Sequence, residues 1–212
     1  MQNLPHDNLW VVGGKPDWYT GKYIHAPSDP TRVRLKFDRE KLGLEVISES
    51  EEISDDFILM NDDFFVMEPM TEFIDWNGGT LEEKIELYKR LAPNGIYTNC
   101  LKITYDGLLR MGFENPLDFE MHVPMNMNRA KLNESLKDST SLWRSVYGNM
   151  FITDTETHED VKVYRNGKLM GKSYDYINNK LPFLSTIDDS FEMVRIKVLE
   201  SMFSEPSPYE NP

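Results

Sequence analysis

The run Phe57-Ile58-Leu59-Met60, followed at once by Asn61-Asp62-Asp63 and then by Phe64-Phe65-Val66, constrains this chain more than any other stretch. Ionised carboxylates between two apolar runs are costly unless a cation, a basic group or water meets them. The nearly continuous apolar character from 53 to 66 predicts a strand covered on both faces, as in a sheet with helices on either side. The acidic residues then mark where that strand delivers chemistry.

The rest of the chain repeats the theme. Leu9 to Val12 is a short apolar strand broken by Gly13-Gly14 and Pro16, and Tyr23-Ile24-His25-Ala26 is a second extended piece ending at Pro27. A strand followed by a glycine turn is common at the ligand edge of α/β sheets, but it is equally an ordinary tight turn. Near the end, Phe183-Leu184-Ser185-Thr186 delivers Asp188 and Asp189. Between these lie helical patterns. Asp38 to Glu49 is polar and helical, and Thr80-Leu81-Glu82-Glu83 is a capping box that opens a helix through Leu81, Ile85 and Tyr88. A further helix spans Tyr97 to Met111, and two shorter ones carry Leu132 with Leu136 and Leu142 with Val146, the second stopped by Gly148. Val161 to Tyr164 before Asn166-Gly167 predicts a hairpin. Phe191, Val194, Val198 and Met202 form a closing helical stripe, and SEPSPYENP is an irregular tail. Strands alternate with helices, which predicts an α/β fold in one domain over 1–212.

With 36 acidic against 23 basic residues and a formal charge of −13, the chain lacks the basic surface of a general nucleic-acid or anionic-membrane binder. No apolar stretch is long enough to span a bilayer. The single Cys100 forbids an intramolecular disulfide, and the opening MQNLPHDNLW has no signal-peptide pattern, so the expected location is cytoplasmic.

Asp62-Asp63 at a strand end suits Mg²⁺ or Mn²⁺ bridging a diphosphate; it equally suits a solvated turn. His122, beside Val123 and Pro124, is either a held acid/base group or a structural histidine. Arg144 is either a phosphate ligand or half of a surface salt bridge. Asp188 and Asp189 repeat the choice made at 62–63, with Asp189 or Ser190 also available as a helix cap. No GxGxxG, P-loop, GxSxG, paired-cysteine or HExxH pattern is present.

In chain order these pieces resemble the Stealth family of sugar-phosphate transferases, GT-A-like proteins of bacterial capsule synthesis and of lysosomal-enzyme GlcNAc-phosphotransferase. LWVVGGKPDW and YIHAPSD are similar to the family's strand before "P-x-W" and its next extended stretch. ISDDFILMNDDFFVMEPM is similar to "L-S-x-x-F-x-x-x-N-D-D-x-F", with Ser54, Phe57, Asn61, Asp62, Asp63 and Phe65 in place. FEMHVPM and the later WRSVYGN resemble "H-x-P … R-S". The closing segment resembles "N-D-D … F-P-x-P-S-x-F-E", with Ser207, Tyr209 and Glu210 in place. The chain looks closest to short phage or bacterial glycosyltransferases of this kind.

The resemblance implies a GT-A-like mixed sheet flanked by helices and a metal-dependent transferase. Such an enzyme moves a sugar or sugar-1-phosphate from a nucleotide-diphosphate sugar to a saccharide or other hydroxyl acceptor. It implies metal at Asp62 and Asp63, catalysis by His122, Asp63 and Asp188, and substrate contacts from Asn61, Arg144 and Asp189. Two departures stand out. The family's "T-W-V-D-G" strand and its helix have no counterpart here, and Ile187 replaces the asparagine before Asp188-Asp189. The missing strand predicts an open inner sheet edge beside 57–60 and poor solubility. It also supports a rival reading, an inactive fold-relative serving as a binding or virion-associated protein. A phosphohydrolase is a third reading, without a nucleophile motif to support it.

Overall fold

The apolar run that begins at Phe57 does not continue as one strand. In the computed structural model, which describes residues 2–26, 36–138, 142–164, 168–169, 172–173 and 181–210, it is split in two. β3 (Asp56–Leu59) and β4 (Phe64–Val66) belong to different sheets, and the acidic residues make the turn between them. Phe64 N–H closes that turn on the Asn61 carbonyl at 3.3 Å.

The chain order is β1 (Trp10–Gly13), β2 (Lys22–His25), α1 (Lys36–Glu49), β3, β4, β5 (Asp75–Asn77), α2 (Leu81–Leu91), α3 (Ile96–Arg110), β6 (Met125–Asn128), α4 (Arg129–Asp138) and α5 (Trp143–Phe151). It continues with β7 (Thr155–Thr157), β8 (Lys162–Tyr164), β9 (Lys168–Leu169), β10 (Lys172–Ser173), β11 (Phe183–Thr186) and α6 (Asp188–Val194). A π-helical segment, Arg195–Leu199, leads on to α7 (Glu200–Met202). The class is mixed α/β, as expected. Its strands form several small sheets: β10-β9-β8-β11-β4, and the pairs β1-β2, β3-β6 and β5-β7.

β3 is apolar on both faces because each face has its own core. Phe57 and Leu59 pack on the cluster of Leu44, Ile47, Met125, Met127, Leu132 and Trp143. Ile58 and Met60, one residue out of phase, pack on Val66, Met121, Val123, Val161 and Phe183. Period-two alternation therefore serves two interiors at once. β3 pairs with β6 antiparallel, Phe57 opposite Met127, and β1 pairs with β2 in parallel. Trp10 and Val12 lean on the same cluster as Phe57 and Leu59. Yet among the described residues no backbone hydrogen bond joins β1 to β3, and each has a strand on one edge only. Among the described residues the second edge of β3 therefore carries no strand partner, which agrees with the open edge expected beside 57–60.

Several local expectations hold. Thr80 caps α2 reciprocally with Glu83: Glu83 N–H donates to Thr80 Oγ1 at 3.2 Å, and Thr80 N–H to Glu83 Oε2 at 3.0 Å. β8 and β9 pair antiparallel, with Val163 opposite Leu169; the Asn166-Gly167 turn lies outside the described residues. Two expectations need correction. The single 53–66 strand is two strands, because Asn61–Asp63 cannot stay in an apolar interior. Gly148 does not end α5, which runs on to Phe151; it lets Phe119 approach so closely that a Cβ would overlap the ring. Of the two caps offered for the helix that begins there, Asp189 and Ser190, it is Ser190 that serves: its Oγ accepts the Ile187 N–H at 3.1 Å. The tail is irregular but anchored, with Thr20 N–H donating to Tyr209 O at 2.8 Å and Tyr209 Oη against His6 Nε2 at 3.0 Å.

Candidate active site

A cleft of about 2950 Å³ opens between β1, the 61–63 turn and the segment that carries His122. Asn61, Asp62, Asp63, His122, Arg144 and Asp188 all line it, whereas Asp189 does not. Asn61, Asp62 and Asp188 are exposed at its rim.

Asp63 is held more firmly. β4 and β11 pair antiparallel, and Thr186 N–H reaches the Asp63 carbonyl at 3.3 Å. This register places the Asp63 carboxylate beside two donors: Oδ2 accepts from Ser185 Oγ at 3.3 Å and from Lys162 Nζ at 3.2 Å. Water meets Asn61 and Asp62, and a lysine from β8 meets Asp63.

His122 follows the second core's Met121 and precedes Val123, both buried, so the backbone around it is pinned by packing. Asp160 then grips it twice. Asp160 Oδ1 accepts the His122 backbone N–H at 3.1 Å, and Oδ2 lies 2.6 Å from the ring Nδ1. A carboxylate only accepts, so in the neutral imidazole this contact puts the proton on Nδ1 and leaves Nε2 with its lone pair. Among the described residues Nε2 has no partner, and the side chain is 30% exposed. Burial acts to raise the Asp160 pKa, but the hydrogen bonds and charge of His122, with Lys84 behind them, outweigh it and hold the group below its ordinary value. Asp160 therefore stays ionised and the imidazole stays oriented.

Arg144 is neither a surface salt bridge nor an exposed anion hook. It is 5% exposed, and its Nε and Nη2 donate to the carbonyls of Phe119 (3.1 Å) and Val123 (2.7 Å). Those carbonyls flank His122, so the guanidinium clamps the segment that presents the imidazole. Its Nη1 is buried without a hydrogen-bond partner among the described residues, a costly state that a ligand oxygen would relieve. Burial lowers the Arg144 pKa, and Glu120 and Asp75 act against that.

Glu120 supplies the next layer. Its Oε1 accepts from Ser145 N–H at 2.9 Å and Ser145 Oγ at 3.1 Å. The residue keeps some accessible surface, but its carboxyl lies deep, and burial with the nearby Asp118 pushes its pKa up to about 7. Asp118 is fully buried, with Oδ2 2.9 Å from Lys84 Nζ. Asp160, Glu120, Asp118, Lys84 and Lys162 were not identified from the sequence. Asp160 and Lys162 sit far along the chain from the 61–63 turn and His122, Lys84 lies on a helix face that read as ordinary amphipathic surface, and Asp118 and Glu120, though only four and two residues before His122, sit in no spacing that marks them.

Among the described residues no group of three or more His, Cys, Asp and Glu side chains is arranged to hold a metal ion by itself. The donor set fits a different mode. Asp62 and Asp63 offer carboxylates at the rim, and a hard cation such as Mg²⁺ commonly takes one or two carboxylates and fills its remaining positions with phosphate oxygens and water. Lys162 occupies one Asp63 oxygen, which leaves Oδ1 available. No helix among the described residues is long and apolar enough to cross a membrane. Neither a protein-family model nor a curated protein matches this chain.

Proposed function

We propose that the cleft is the active site of a transferase that moves a sugar, or a sugar-1-phosphate, from a nucleotide-diphosphate sugar to a saccharide or other hydroxyl acceptor. The observation that supports it most is the His122–Asp160 pair: an oriented imidazole that lines the same cleft as Asp62 and Asp63 and whose second nitrogen has no partner among the described residues. Transfer to a hydroxyl needs a base within hydrogen-bond reach of the acceptor oxygen. His122 Nε2 would take that proton as the oxygen bonds to the transferred carbon or phosphorus, and the leaving phosphate would carry off the bonding pair. Asp160 would stabilise the imidazolium, since it is held ionised. Asp62 and Asp63 would hold Mg²⁺ or Mn²⁺, which when bound neutralises charge on the diphosphate. Arg144 holds the segment that presents His122, and its spare nitrogen would take a donor oxygen that reached it. Asp188 is a further carboxylate at the rim, and Asn61 lies beside the metal pair.

The test is calorimetric titration of nucleotide-diphosphate sugars with and without Mn²⁺, followed by a product assay. The expected result is Mn²⁺-dependent binding, with His122→Asn and Asp160→Asn binding normally but turning over at least about 100-fold more slowly. Absence of binding to every such donor would refute the proposal. Binding without turnover by the unaltered chain would favour the non-catalytic reading, which the open edges of β1 and β3 also suit.

A further inference from the structure

We infer that the corner of the cleft behind His122 is an acceptor subsite built for a saccharide that carries no negative charge. The inference rests on the transferase reading above and adds to it a substrate class. Lys84 and Tyr88 lie one turn apart on α2 and so share a face. Tyr97 comes from the first turn of α3 and packs edge-on against Tyr88, with ring centroids 4.8 Å apart. Tyr164 ends β8. All four line the same cleft as His122 and Asp160, and the Asp160 charge is felt by each of them. An acceptor whose hydroxyl meets His122 Nε2 therefore lies against a wall of tyrosines edged by a lysine and a carboxylate.

That chemistry selects a sugar. The apolar C–H face of a pyranose ring packs on aromatic surface, and its hydroxyls need the mixed donors and acceptors that tyrosine, lysine and carboxylate groups supply. The charges decide which sugar. The two lysines here already face carboxylates, Lys84 2.9 Å from Asp118 and Lys162 3.2 Å from Asp63, while Arg144 is buried and held by the carbonyls of Phe119 and Val123. Asp160 adds a negative charge whose closest partner is His122. A uronic, sialic or phosphorylated acceptor would have to share a lysine that a carboxylate already holds, with Asp160 beside it. A neutral or amino-bearing sugar would not.

Direct binding tests this without any donor. The full chain is titrated with neutral, amino-bearing and uronic-acid disaccharides, monitored by calorimetry and ligand-observed NMR. The neutral or amino-bearing compounds should bind and the uronic acids should bind at least about tenfold more weakly. Tyr88→Ala should weaken saccharide binding about tenfold while leaving the nucleotide-sugar affinity unchanged. Tyr97→Phe, which preserves the packing, guards against a folding defect and should weaken it less. Uronic acids bound as tightly as neutral sugars, no saccharide bound at all, or Tyr88→Ala without effect would each overturn the subsite. Donor binding without saccharide binding would remove the subsite alone. Saccharide binding without donor binding would remove the transferase reading and leave the subsite standing.

Discussion

Glu120→Gln should change how stability depends on pH in a direction that the site's geometry dictates. Glu120 accepts both donors of Ser145 through one oxygen, and a glutamine can keep both bonds through its carbonyl. What the substitution removes is a proton equilibrium. Burial first, and Asp118 second, raise the carboxyl from 4.5 to about 7 in the folded chain. Between those values the folded state holds a proton that the unfolded state has released. The stability this confers is complete below the unfolded value and is lost as pH rises through the folded one. A displacement from 4.5 to about 7 corresponds to about 3 kcal/mol. Because the residue keeps some contact with water, about 2 kcal/mol is the working expectation. The assay is urea denaturation of both proteins at intervals from pH 4.5 to 8. The variant should gain on the unaltered chain by about 2 kcal/mol across that window and level off above pH 8. A difference between the two proteins that does not vary with pH would show that the Glu120 carboxyl is well solvated or fully compensated by Arg144.

Three other outcomes are expected. Gly148→Ala places a methyl into the Phe119 ring and should destabilise the chain by about 1–3 kcal/mol in urea melts, despite alanine's better helix propensity; a neutral effect would mean that Phe119 can rotate away freely. Asp63→Asn should weaken Mn²⁺ and nucleotide-sugar binding together, since it removes charge from one group that both need; unchanged affinity for both would return the 61–63 turn to a structural role. Amides on the open edges of β1 and β3 should exchange with deuterium far faster than those of β11, which is buried and paired on both sides; equal protection would mean that something covers those edges in solution.

What could be read in advance was whatever a local rule controls. The Thr80–Glu83 capping box, the apolar stripes of α2 and α3 and the strand before Asp188 depend on neighbours three or four residues away, and they appear where expected. The split of the 53–66 run was not visible, because one apolar strand lying between two cores and two strands in separate sheets share the same hydrophobic pattern. His122 was identified but its partner was not. Asp160 lies 38 residues downstream, and only the packed chain brings it within 2.6 Å. Arg144 was singled out as well, though for an anion rather than for the carbonyls of Phe119 and Val123. A guanidinium's destination depends on tertiary burial, which sequence spacing does not encode.

Because β3 is greasy on both sides, hydrophobicity cannot tell it when it has slipped by one residue: a shifted strand would still bury apolar groups above and below. Its alignment has to come from polar fasteners at the end opposite the 61–63 turn. Asn128 Nδ2 donates to Asp56 Oδ1 at 2.8 Å, and Arg129 holds Asp55, with Nη2 to Oδ1 at 2.7 Å and backbone N–H to carbonyl at 2.7 Å. Asp55 and Asp56 look like dispensable surface acids, yet they act as the ratchet pawl of the strand. Unfastened, β3 is free to move along β6 in two-residue steps that preserve its burial, and each step would carry Asn61, Asp62 and Asp63 nearly 7 Å along the cleft rim.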